Sequence, residues 1–261
     1  MFYNKENNNN SCRSKKISGY SKSMAVLHAL IIIGAGVAVQ LVATSLYYGK
    51  NSNYVYDGFY ALIFIPRIFI PICVGFIIKL SLSEMGVSFP APLWKGPLFI
   101  VLAMALITII IIFGMSLESV SSYYLNTYEI FYGDKTGFTK FFLLFTISAN
   151  ISWEFLHRGF LLFGLEKTLR SLIVASNFSN AGKISKNSLY RFNIPAFIAI
   201  LIVWIFEISL HITKPFPEII GMGVASILLS MLALKSRSIA YPMLLHFYIE
   251  FVLWFAIVRL L

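Results

Sequence analysis

Three stretches of the chain place an acidic side chain one helical turn from a basic or imidazole side chain, inside sequence that is otherwise apolar. In the first stretch Glu154 precedes Arg158 by four residues, and His157 lies between them. The same spacing recurs twice, as Glu207 with His211 and as His246 with Glu250. Residues i and i+4 share one face of a helix, so we expect the two side chains of each pair to act together.

Glutamate, histidine and arginine side chains that converge in a membrane cavity suit two kinds of chemistry. One is hydrolysis, in which a carboxylate and a histidine activate water, with or without a metal ion, while other polar groups stabilise the oxyanion. The other is proton-coupled transport. A third interpretation of any single pair is an ion pair that only fixes helix packing. The sequence contains no HExxH, so the usual zinc-protease helix is missing.

The elements that must position these side chains are membrane helices. Of the 261 residues 58% are hydrophobic and only 12% are charged, whereas a soluble domain carries about 25% charged residues. Apolar runs near twenty residues predict an all-α, polytopic membrane helix bundle of about seven transmembrane helices. These runs are 24–48, 59–80, 97–117, 139–165, 194–212, 217–234 and 239–260.

The distribution of basic residues predicts how the bundle is oriented. Lysine and arginine concentrate in segments 1–23, 166–193 and 235–238, which fall on one side of a seven-helix arrangement, whereas 49–58 and 118–138 contain few. The positive-inside rule therefore places the N-terminus in the cytoplasm. The net charge of +10 is explained by anionic lipid at that surface, so we expect the lipid bilayer as a partner and no nucleic acid.

The order of the three pairs resembles the CPBP family, the CAAX-prenyl-protease and bacteriocin-processing group of intramembrane metalloproteases. The motifs of that family are E-E-x-x-x-R, F-x-x-x-H and H-x-x-x-N/D on successive helices, and the likeness covers about residues 139–255. Three positions depart from these motifs. They are Trp153 for the first glutamate, Glu207 for the phenylalanine, and Glu250 for the final asparagine or aspartate.

The resemblance implies a role for each matching residue. Glu154 and Arg158 match the supporting pair of the first motif, and His211 matches the histidine that acts with the base. His246 and Glu250 match the oxyanion or metal site, with zinc as the implied cofactor and the two histidines as its ligands. Because position 153 is tryptophan, either Glu154 or Glu207 would have to supply the base.

The composition and charge pattern, together with the resemblance to the CPBP family, imply three regions and one function. The regions are a disordered cytosolic tail at 1–23, N-terminal transmembrane helices at 24–138, and a CPBP-like protease core at 139–261. The function is an intramembrane endopeptidase that uses activated water to cleave a peptide bond of a membrane-associated protein or peptide, in a bacterial plasma membrane. The alternatives are a catalytically inactive relative with an immunity or scaffolding role, and a proton-coupled transporter.

Overall fold

The described part of the chain is built from helices joined by turns. A computed structural model describes residues 21–48, 60–89, 96–178 and 188–260, so most of the predicted tail at 1–23 lies outside the described residues. The helices are α1 Lys22–Tyr48, α2 Tyr60–Ile77, α3 Gly96–Met115, α4 Glu118–Thr127, α5 Lys135–Glu154, α6 Gly164–Phe178, α7 Ser188–His211, α8 Phe216–Ser236 and α9 Ala240–Leu260. A short 3-10 turn, Glu129–Phe131, precedes α5. Helices pair every backbone group internally, which apolar surroundings require.

The predicted polytopic helical bundle is confirmed. Among the described residues, four helices are long and apolar enough to cross a membrane, namely α1, α7, α8 and α9. Helices α3 and α4 add a fifth if they are counted as one span, because they pass the same test together despite an 86° bend between them. The described apolar part of α2, Ile65–Ile77, is shorter. This is an integral membrane protein, and about seven spans remains the prediction from the sequence.

The predicted fourth span differs from a regular α-helix at its centre. Helix α5 runs without a break into a nine-residue π-helix, Phe155–Phe163, and from there into α6. All nine π-helical residues are buried. A π-helix widens the turn, and such segments occur frequently at functional sites. Here it begins directly after Glu154 and includes His157 and Arg158.

The π-helix lies at the centre of the bundle. It contacts α1, α2, α7 and α8, while α1 also packs against α2 and α6. Its apolar side chains Leu156, Phe160 and Leu161 are fully buried, and they share one core cluster with Ile32 of α1 and Val203 of α7. Helix α9 packs against α3, α5 and α8. The polar side chains of α5, α7 and α9 therefore meet inside the protein.

A turn between α2 and α3 fixes the start of α9. The backbone N–H of Ile239 donates to the carbonyl of Gly86 at 3.0 Å, and the Ser238 hydroxyl donates to the carbonyl of Ser88 at 2.7 Å. Gly86 has φ +74°, and a Cβ there would lie 2.3 Å from Cε2 of Phe163. Glycine is needed at this position for both its conformation and its lack of a side chain. The contact sets the end of the π-helix against the beginning of α9.

Candidate functional site

Arg158 joins the first two acidic residues in the core. Its Nη1 donates to Oε1 of Glu154 at 3.1 Å and to Oε1 of Glu207 at 2.5 Å, and its Nη2 donates to Oε2 of Glu207 at 2.8 Å. All three side chains are at most 1% exposed. A guanidinium that binds a carboxylate through two nitrogens has a fixed orientation. Arg158 therefore ties the π-helix to α7 and holds both carboxylates in place.

His246 brings α9 into the same cluster. Its Nδ1 lies 2.7 Å from Oε1 of Glu154, and its Nε2 lies 3.9 Å from Oε1 of Glu250. An ionised carboxylate only accepts hydrogen bonds, so Nδ1 carries the proton and donates to Glu154. In the neutral ring Nε2 then keeps its lone pair and is able to accept a proton.

Trp153 occupies the position where the family motif has its first glutamate, and it fills the space between the histidines. Its Nε1–H donates to Oε1 of Glu207 at 2.6 Å. Its ring centroid is 4.3 Å from that of His157, 5.8 Å from that of His211 and 6.5 Å from that of His246. The indole is therefore part of the polar cluster as well as part of its packing.

Arg67 of α2 supplies a second positive charge near the cluster. Its guanidinium carbon lies 5.1 Å from the centroid of the Trp153 ring, which is within cation–π range. Together with Arg158 it offsets the negative charges of Glu154 and Glu207. Buried Arg158 and partly buried Arg67 thus accompany the two buried carboxylates.

His211 ends α7 beside the cluster, and its ring is oriented by its own helix. Nδ1 lies 2.7 Å from the backbone carbonyl of Glu207, so Nδ1 donates and Nε2 is the acceptor in the neutral ring. His157 is held in the same way, 3.0 Å from the carbonyl of Trp153. His157 is fully buried, and its Nε2 has no hydrogen-bond partner among the described residues.

A small cavity lies against these groups, with room for about one water molecule. Trp153, Arg158, Glu207 and His246 form its polar wall, and α8 closes the opposite side. The α8 residues that line it are Met222, Ala225, Ser226 and Leu229. Of the predicted site residues, Arg158, Glu207 and His246 thus border a space that fits about one water molecule.

A zinc ion at this site would need several nitrogen, sulfur or oxygen ligands around one point. Within the described ranges, no group of three or more histidine, cysteine, aspartate or glutamate side chains is arranged to hold a metal. Nδ1 of His246 is bound to Glu154, and Trp153 lies beside both His211 and His246. An indole N–H only donates and cannot ligate a cation. These side chains do not fit zinc as they are arranged.

Four of the predicted site residues, Glu154, Arg158, Glu207 and His246, form one hydrogen-bonded network. The other two lie at its edge, since Glu250 approaches His246 and His211 contacts Trp153. Sequence reasoning did not include His157, Arg67 or Ser226 among the site residues. An arginine in an apolar run was a usable signal for Arg67, whereas a single serine in a membrane helix carries none.

Comparison with known proteins agrees with this arrangement. Residues 135–252 match the family model described as type II CAAX prenyl endopeptidase Rce1-like. No curated protein and no solved structure matches the chain. The matched segment runs from the start of α5 into α9 and so includes every residue of the hydrogen-bonded network.

A CAAX-type intramembrane protease is the kind of function that this match supports. It covers the helices that supply the two glutamates, the arginine and the histidine of the network, together with α8, which closes the cavity. The expected resemblance is therefore confirmed over residues 135–252, which are similar to the Rce1-like type II CAAX prenyl endopeptidases.

Proposed function

We propose that this protein is an intramembrane endopeptidase that hydrolyses a peptide bond of a membrane-associated protein or peptide with activated water. The observation that carries the proposal is the 2.7 Å contact between Nδ1 of His246 and Glu154 beside a cavity. A carboxylate on one imidazole nitrogen orients the ring and stabilises the imidazolium, which leaves the other nitrogen to act as the base.

The proposed reaction uses His246 as the general base. Nε2 takes a proton from the water as its oxygen bonds to the carbonyl carbon of the peptide. The tetrahedral intermediate then collapses, the carbon–nitrogen bond breaks, and the same nitrogen returns the proton to the leaving amine. Glu154 holds the imidazolium in place, and Arg158 holds Glu154.

Glu207 is a positioning residue in this scheme. Its two oxygens already accept three hydrogen bonds from Trp153 and Arg158, which makes a carboxylate a weak base. Glu154 has one oxygen, Oε2, that is buried and without a partner among the described residues. Of the two carboxylates expected to supply the base, Glu154 therefore has the capacity to take part in proton transfer, through His246.

One observation favours a second candidate, a non-catalytic binding protein. The Trp153 ring occupies the position of the motif's first glutamate and contacts three histidine rings. A binding protein would keep this cavity for packing or for a partner, without proton transfer at His246. The two candidates differ in what they predict for isotope incorporation.

The test uses the full chain reconstituted in liposomes with a library of apolar helical peptides in water enriched in oxygen-18. Hydrolysis by activated water places one heavy oxygen in each new carboxyl group, and mass spectrometry detects it. His246→Ala is expected to abolish the products, whereas Lys235→Ala, an exposed change away from the cavity, leaves them unchanged. Absence of labelled products from the wild type would contradict the endopeptidase and favour the binding protein.

A further inference from the structure

One serine of α8 points to an additional contact with the substrate. Ser226 is only 1% exposed and lines the same cavity as Arg158, Glu207 and His246. Its hydroxyl lies beside the Glu207 carboxylate, yet it forms no hydrogen bond of acceptable distance and angle with any described residue. A buried hydroxyl without a partner costs free energy, so this arrangement calls for an explanation.

Several other serines and threonines in the described helices donate to a carbonyl of their own helix, although Thr146 and Ser230 do not. Thr108, Ser148 and Ser236 each donate to the carbonyl four residues earlier, at 2.9, 2.6 and 2.8 Å. That back-bonding is the usual behaviour of these residues in membrane helices. Ser226 has no such bond to any described carbonyl, and its hydroxyl faces the cavity instead.

Several donors on the cavity wall are already engaged, whereas Nε of Arg158, like the Ser226 hydroxyl, is buried without a partner among the described residues. Trp153 Nε1 and both terminal nitrogens of Arg158 donate to Glu207. Nδ1 of His246 is held by Glu154. The Ser226 hydroxyl is thus one of the donors beside the cavity that remain available to a group entering the space.

We propose that Ser226 contacts the substrate and donates a hydrogen bond to the carbonyl oxygen of the peptide bond that is cleaved. This inference rests on the proposed hydrolysis at His246. Negative charge develops on that oxygen as water attacks, and a fixed donor stabilises it more in the transition state than in the ground state. Loss of the hydroxyl thus lowers kcat more than it changes KM.

The chain offers a matched control one helical turn away. Ser230 is also fully buried in α8, and its hydroxyl also lacks a partner among the described residues, but it does not line the cavity. Ser226→Ala is expected to lower kcat by about 100-fold with KM within about threefold, while Ser230→Ala changes neither by more than about twofold. Ser226→Thr keeps the hydroxyl and is expected to retain at least about a tenth of the wild-type kcat.

Equal losses in Ser226→Ala and Ser230→Ala, or full activity of Ser226→Ala, would overturn the assignment. Covalent labelling of Ser226 by a fluorophosphonate would also overturn it, because the serine would then be a nucleophile rather than a donor.

A binding measurement separates this inference from the proposed function. The probe is a 20-residue Leu/Ala peptide with one central phosphinate, whose tetrahedral anionic group mimics the developing oxyanion. If the wild type cleaves nothing but binds the probe, and Ser226→Ala alone weakens binding at least about tenfold, the hydrolysis fails and the Ser226 contact stands. If the wild type does not bind the probe, or if both variants bind it equally well, the contact fails.

Discussion

The indole N–H of Trp153 donates to Oε1 of Glu207 at 2.6 Å, and the same oxygen accepts a hydrogen bond from Arg158 at 2.5 Å. Trp153, which stands where the family motif has its first glutamate, therefore takes part in the hydrogen bonds of the polar cluster. It orients a carboxylate that already has a second donor, and it separates the histidines without breaking the Glu154 contact to His246.

Replacing Trp153 by phenylalanine separates these two roles. The Trp153→Phe variant keeps an aromatic ring but removes one donor to Glu207, so we expect a loss of about 1.5–3 kcal/mol in the free energy of unfolding. Trp153→Ala also leaves a cavity and is expected to lose about 3–5 kcal/mol. Denaturant titrations in detergent micelles measure both. A phenylalanine variant as unstable as the alanine variant would show that ring packing contributes little.

Removing Arg158 leaves two buried carboxylates without their shared cation. Arg158→Met is expected to lower the free energy of unfolding by about 3–5 kcal/mol, since one partner of a buried ionic network is lost. The matched control is Lys214→Met, which breaks the half-buried pair with Glu218 and is expected to cost less than about 1 kcal/mol. Equal losses in the two variants would contradict a structural role for Arg158.

The Gly86 turn is expected to be intolerant of a side chain. Gly86→Ala combines a positive φ with a Cβ placed 2.3 Å from Phe163, which predicts a loss of about 2–4 kcal/mol in stability. Gly133 has φ +83° but open space around it, so Gly133→Ala should lose only about 1–2 kcal/mol from backbone strain. If both variants unfold at the same denaturant concentration, the contact between Gly86 and Phe163 is not important.

A pH dependence is expected outside the membrane-spanning segments, at Glu84. Burial raises the pKa of this carboxyl. The Lys167 ammonium and the Ser81 donors lower the pKa by more than burial raises it, so the net pKa lies below its usual range. A lowered pKa stabilises the fold above the unfolded-state pKa, and this contribution is lost as the pH falls through the folded-state value. Because Glu84 is 41% exposed, the contribution stays below about 1 kcal/mol.

The measurement compares the acid-induced loss of stability in the wild type with that in Glu84→Gln. The glutamine variant is expected to be slightly less stable near neutral pH and to lose less stability on acidification. A variant that follows the wild type at every pH would show that the contact with Lys167 contributes nothing.

Much of the fold follows from the apolar composition and from the length of the apolar segments. In lipid the backbone N–H and C=O groups must form hydrogen bonds within the protein, and a helix does this within one segment. The spacing of Glu154 and Arg158 also predicted their contact, since it depends on one helix alone. The π-helix was not predictable, because widening a turn leaves no signature in the residues of Phe155–Phe163.

Contacts between helices were predictable only in part. Glu207 and His246 were expected to converge on Glu154 because isolated charges in apolar runs need partners. Which residue pairs with which depends on how the helices rotate against one another, so the contact between Trp153 and Glu207 was not expected. Ser226 was not predictable from the sequence, because what distinguishes it is the lack of a hydrogen bond to its own helix, which depends on the folded geometry.

Zinc remains a prediction from the family resemblance, and metal content tests it. Detergent-purified wild type, His211→Ala and His246→Ala are compared by mass spectrometry of the metal. Given that the described donor atoms are not arranged around a cation, we expect equal and negligible zinc in all three. One zinc per chain in the wild type, lost in either variant, would contradict the ligand geometry described above.

Glu154 and His246 are proposed to act as one catalytic unit, and a double-mutant comparison tests this coupling. Cleavage rates are measured for wild type, Glu154→Gln, His246→Ala and the double variant, each with its folded fraction determined. Residues that act as a unit are non-additive. We therefore predict that each single variant loses at least about 1,000-fold in kcat and that the double variant loses no more than the worse single variant. Independent, multiplying losses, or a Glu154→Gln variant as active as the wild type, would contradict the account.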